Sequence, residues 1–182
     1  KEEAVITMVD ANLQRENLLP SEKAFAYKMK AAAMKAQGKR TDLTSSQVAT
    51  KSDTATTIGQ QLGESRDQVY RYIRLTYLIP ELLKMVDEQR IAFTPAVEIS
   101  YLPEREQRVL IDEIEYTDAT PSLSQAQRLR KFSNQGRLSV DTVFAVLSEE
   151  KPNQKEQVKF MTEDIRKYFP KNYSNKDMQK TI

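Results

Sequence analysis

Cysteine and histidine are both absent from this chain of 182 residues, and glycine occurs only four times. Without cysteine there is no disulfide, no thiolate nucleophile and no thiolate metal ligand. Without histidine there is no imidazole to serve as general base or to complete a Cys/His zinc site. Most common hydrolase chemistry is thereby excluded. No G-x-G-x-x-G arrangement occurs, and the nearest approach to a P-loop, Gly38-Lys39-Arg40, lacks both the upstream glycine and the hydroxyl residue after the lysine. An excess of one charge is also missing: 28 basic against 26 acidic side chains leave a net charge of +2, so any basic surface is local. No apolar run approaches the roughly 18 residues of a membrane span, and no signal-like segment is visible. The sequence therefore predicts a cytoplasmic protein with no membrane partner. The chain starts at Lys1 rather than Met and ends in what reads as an open helix, Lys176 to Ile182, which predicts a piece of something longer.

What is present is helical spacing, punctuated by proline and by Ser/Thr caps, with no convincing strand alternation. The pattern predicts an all-α fold: a multi-helix domain containing a helix-turn-helix, followed by a further helical C-terminal region. Glu2 to Ala11 reads as a short helix. Pro20 suits a first helical position, and Phe25, Met29, Ala32, Ala33 and Ala36 follow as an apolar stripe until Gly38 stops the run. Between Lys23 and Arg40 this segment holds six cations and no acid, a pattern that fits a solvated face or a phosphate-facing one. Leu43 to Asp53, rich in Ser and Thr, reads as a loop or insert. Short helices are expected over about 56–62, 66–78, 80–89, 95–102 and 104–116, with Thr94 as an N-cap before Pro95. Ser122 with Gln125 forms a capping box for a helix that Gly136 closes, Ser139 to Ser148 reads as another, and Lys151-Pro152-Asn153 as a hinge.

The window from Thr56 to Leu75 carries the most information. Two helices packed at a steep angle need a small residue where they approach and a residue that tolerates positive φ at the turn, and Gly59 and Gly63 stand at those places. Ser65 with Gln68 then forms a capping box that starts the second helix abruptly. Val69, Tyr72, Ile73, Thr76 and Tyr77 form its apolar stripe, and Arg66, Asp67, Tyr70, Arg71 and Arg74 its outer face. An exposed helix N-terminus with Arg, Gln and Tyr donors suits major-groove readout, because Arg pairs bidentately with guanine and first-turn N–H groups can meet a phosphate. The same pattern fits a helical hairpin with a charged outer face. Tyr27, Tyr72, Tyr77 and Tyr101 all sit at apolar helical positions and are expected in the core. Paired acids such as Asp112 with Glu115 read as surface charge, so no independent enzyme site and no metal site is expected.

Gly63-Glu64-Ser65-Arg66-Asp67-Gln68-Val69, then Arg74-Leu75, Leu78-Ile79-Pro80-Glu81-Leu82-Leu83 and Arg90-Ile91-Ala92-Phe93-Thr94, closely resemble the central DNA-binding domain of ParB/Noc-type chromosome and plasmid partition proteins. Upstream, Asp10 to Leu18 with Pro20 and Glu22 resembles the segment that closes the family's N-terminal domain, so the resemblance covers about residues 2–115. It implies a remnant of a nucleotide-binding domain over 1–19, a DNA-binding domain over 20–118, and a helical extension and linker over 119–182. It further implies sequence-specific binding of double-stranded DNA at a palindromic centromere-like site. The partners it implies are a ParA-like ATPase and a second copy in a full-length homodimer, with a nucleoid-associated location. The DNA-binding residues so implied are Thr56, Ser65, Arg66, Asp67, Gln68, Tyr70, Arg71 and Arg74, joined by Lys39 and Arg40. Asn12, Gln14 and Arg15 match the family's CTP-binding Asn-x-Gln-Arg segment, with CTP and Mg expected only in a full-length parent. Ala11 stands where the family carries Glu, with Asp10 one residue earlier. A helix-turn-helix transcription regulator, a CTP-dependent DNA-clamp switch and a helical protein adaptor are the alternative readings. The basic cluster Arg128, Arg130 and Lys131 fits a solvated face or a DNA backbone contact, and Tyr168, Phe169 and Tyr173 fit the core or a partner surface.

Overall fold

The structure is a computed structural model that describes residues 2–15, 17–41 and 54–149, with side chains of 37–41 outside that description. Leu43 to Asp53, the hinge at Lys151 and everything expected beyond it lie outside the described residues. Within them the chain is all-α: α1 (Glu2–Leu13), α2 (Pro20–Thr41), α3 (Thr54–Leu62), α4 (Arg66–Leu75), α5 (Pro80–Asp87), α6 (Phe93–Ile99), α7 (Glu104–Thr117), α8 (Leu123–Asn134) and α9 (Val140–Leu147).

Local signals account for most of these limits. Pro20 and Pro80 stand at first helical positions, where a missing N–H loses nothing. Ser65, Ser122 and Ser139 cap α4, α8 and α9 through their hydroxyls; Ser122 with Gln125 completes the reciprocal box, whereas the box expected at Ser65 with Gln68 forms only its serine half. Two expectations fail. Gly38 does not stop α2, which runs on to Thr41, because an interior glycine weakens a helix by only about 1 kcal/mol. Thr94 does not cap α6: the helix begins one residue before it, with Ala92 at the cap position. Proline is tolerated anywhere in the first turn, so Pro95 did not mark where that turn starts.

Two apolar clusters organise the packing. The smaller, of Tyr27, Ala55, Ile58 and Val69, joins α2, α3 and α4. The larger runs from Leu75 through Leu82, Ile91, Ile99, Leu110 and Leu129 to Leu147 and joins α4 to α9, with Ala24 of α2 included. Tyr72 packs against both. The buried face of α2 is Ala24, Tyr27, Lys30 and Ala33, while Phe25 and Met29 are 48% and 44% exposed. The stripe therefore lies off the expected one, and it admits a lysine because Lys30 Nζ donates to Asp10 Oδ1 of α1 at 2.5 Å.

Candidate nucleic-acid interface

The turn between α3 and α4 is built by backbone requirements. Gly63 adopts φ +69°, and the Glu64 N–H reaches back to the Gly59 carbonyl at 2.8 Å, the long bond of a Schellman closure. A Cβ at Gly59 would lie 2.5 Å from the Glu64 carbonyl oxygen, so only glycine lets α4 start this close to α3. Ser65 Oγ then accepts from the Gln68 N–H at 3.1 Å. The turn is tied to α2 as well: Glu64 accepts from Lys23 Nζ and, at 2.9 Å, from the Tyr27 hydroxyl. Burial, and secondarily the Glu64 carboxylate, push the Tyr27 phenol above its ordinary value of 10.0.

The expected outer face of α4 divides into two parts. At its N-terminal end Arg66, Asp67 and Tyr70 are exposed, with the Arg66 guanidinium 5.2 Å from the Tyr70 ring centre. Ser65 is exposed beside them, Gln68 is half-buried, and Thr56 is half-buried on α3. Further along, Arg71 and Arg74 are half-buried and engaged. Arg71 Nη2 donates to Thr94 Oγ1 at 2.7 Å and lies 5.0 Å from the Phe93 ring, which docks the start of α6 on α4. Arg74 donates to Ser100 Oγ at 3.1 Å and to the Ser100 carbonyl at 2.6 Å. Thr94 thus serves a cross-helix bond in place of a cap.

Val69 is buried as expected, but the stripe turns inward at Leu75, while Tyr77 and Tyr101 are 55% and 41% exposed. Both tyrosines leave the core because they pack against cations: Arg74 lies 4.5 Å from the Tyr77 ring and 4.0 Å from that of Tyr101. An arginine three residues before a tyrosine, within the helix expected over about 66–78, was the available signal for Tyr77. Tyr101 had no local signal, since its partners come from α4 and α8.

Between α2, the start of α3 and α4 lies a half-open cleft of about 590 Å³. Its cations are Lys28, Lys35, Arg71 and Arg74, its aromatic walls Tyr70, Tyr77 and Tyr101, and among the described residues no acidic side chain lines it. Lys39 and Arg40 fall in the last turns of α2, their side chains outside the described residues. Asn12, Gln14 and Arg15 are exposed, and Asn12 and Arg15 share a separate groove of about 280 Å³ with Glu22, Phe25 and Met29. Asp10 is engaged with Lys30. Arg128 pairs with Glu149 at 2.5 and 2.9 Å and Arg130 with Glu98 at 2.9 Å. Among the described residues there is no cluster of three or more acids that could hold a metal ion, and no helix long and apolar enough to cross a membrane. No protein-family model, curated protein or solved structure matches this chain.

Proposed function

We propose that this chain binds double-stranded DNA in a sequence-specific manner through the α3 and α4 pair, at a palindromic centromere-like site used in partition of a chromosome, plasmid or mobile element. The observation that carries the reading is the abrupt start of α4. Gly59, Gly63 and Ser65 present a helix N-terminus with Arg66, Asp67 and Tyr70 exposed at one end, beside a cleft whose described lining holds cations and tyrosines. An exposed helix end of this kind fits the major groove, and a flanking basic cleft fits the phosphates. Position along α4 refines the roles: Arg66, exposed in the first turn, reads bases, while half-buried Arg71 and Arg74 hold α4 against α6 and contribute charge. The reading is that of a binding protein, which works as a homodimer with a ParA-like ATPase in its full-length form.

Selection from a random duplex pool at two salt concentrations tests this reading. A palindrome that survives the higher salt is the expected result, since phosphate-only binding fades steeply with salt. Arg66→Ala loses about 1–3 kcal/mol on the selected site and relaxes preference at one base pair per half-site. Equal loss on random duplex would remove the base-reading role. A transcription regulator would give the same palindrome and is separated by where the site occurs. The groove shared by Asn12 and Arg15 supports a second reading, CTP and Mg binding in a longer parent, which calorimetry with CTP on that parent tests.

A further inference from the structure

We propose that Lys28, Tyr77, Arg74, Tyr101 and Arg130 form a continuous row that seats the phosphodiester backbone of duplex DNA beside the groove-reading end of α4. Four separate stretches of chain meet in this row. Lys28 of α2 lies 5.2 Å from the Tyr77 ring centre, Arg74 of α4 lies 4.5 Å from Tyr77 and 4.0 Å from Tyr101, and Arg130 of α8 lies 3.6 Å from Tyr101. Two exposed rings thus hold three cations in file.

Among the described residues the three cations of this row meet a single acid, Glu98 beside Arg130, and Arg74 is held by neutral oxygens, the hydroxyl and carbonyl of Ser100. Like charges drawn together in this way repel one another and attract a polyanion. The two bonds to Ser100 also fix the Arg74 guanidinium before any ligand arrives, which lowers the entropy lost on binding. Each ring already carries two cations, so the row offers charge and N–H donors in place of free ring faces. That chemistry recognises phosphates of a duplex and not the splayed bases of a single strand. The row opens into the cleft that also holds Lys35 and Arg71, so the cationic surface continues along α2 and α4.

The inference rests on the DNA-binding reading but fails separately from it. The full chain is titrated with its selected site and with random duplex across a salt series. Lys28→Ala and Arg130→Gln are each expected to lower the slope of log K against log salt by about 0.9, and to weaken both duplexes by the same factor. Glu98→Gln, which removes the acid beside Arg130, is expected to tighten both several-fold, a gain that misfolding cannot produce. Arg108→Ala, outside the row and paired with Glu104, leaves the slope unchanged. An unchanged slope in both row variants, with DNA still bound, overturns the row. Weakening confined to the selected site overturns it too, because the row would then read bases. Flattened slopes in a chain without base preference would reject readout by α4 and keep the row. No binding at low salt would reject both.

Discussion

Glu64 sits where the helix-turn-helix meets the rest of the molecule, and its two partners on α2 make the turn sensitive to substitution and to alkali. The Tyr27 phenol, buried and bonded to Glu64, ionises above its ordinary range. Below about pH 10 the phenol is protonated in both folded and unfolded chains, and its stabilisation is fully present. Above that pH the unfolded chain loses its proton first, so stability falls by up to about 1.4 kcal/mol per pH unit until the folded phenol also ionises. Tyr27→Phe is expected to lose about 1 kcal/mol at neutral pH and to show a shallower alkaline decline, read by urea unfolding at about pH 9 and about pH 11. Gly59 makes a sharper case. Its alanine variant would force a Cβ to 2.5 Å from a backbone oxygen that cannot swing away. Gly59→Ala is expected to destabilise by about 1–3 kcal/mol and to lose DNA affinity beyond what the stability loss explains, checked by denaturation and binding on the same preparation.

Among the elements, α4 depends on contacts that no helical pattern announces. Gln107 of α7 is buried, and it accepts from the Ile79 N–H at 2.8 Å while donating to the carbonyls of Tyr77 and Leu102 at 3.0 and 2.9 Å. It therefore holds the exit of α4 and the turn before α7 in one place. Gln107→Leu strands three backbone groups and is expected to cost at least about 2 kcal/mol, measured by urea unfolding. Helix limits set by local chemistry were legible in the sequence: Pro20, the turn glycines, and the serines before α4, α8 and α9 act on backbone groups within five residues. Limits that depended on partners were not. Thr94 reads as a cap until Arg71 is seen bonding to it, and Tyr77 reads as core until Arg74 draws it outward. In both cases a distant or charged neighbour outweighed a weak local preference.

Across the whole molecule, Tyr72 belongs to both apolar clusters, stacking edge-on against Tyr27 at 5.6 Å and on Phe93 at 4.7 Å. The α3 and α4 pair is thereby coupled to the larger cluster and is expected to unfold with it. Tyr72→Ala is expected to cost about 2–4 kcal/mol and to give two unfolding transitions where the unaltered chain is expected to give one, followed by far-ultraviolet circular dichroism. A net charge of +2 conceals the arrangement that matters at this scale, because acids and bases are sorted by position and not by number. Among its described residues the cleft gathers cations from α2 and α4 without an acid, and the row continues to Arg130, which the sequence read as a solvated face ahead of a backbone contact. The sequence by itself determined the all-α class, the glycine-shaped turn and most helix starts, since each follows from spacing or from backbone chemistry within a few residues. Only the tertiary structure decided which cations meet, which tyrosines leave the core and which arginines are already engaged. Those outcomes depend on side chains from helices far apart in the chain, and periodicity within one helix holds no information about its neighbours.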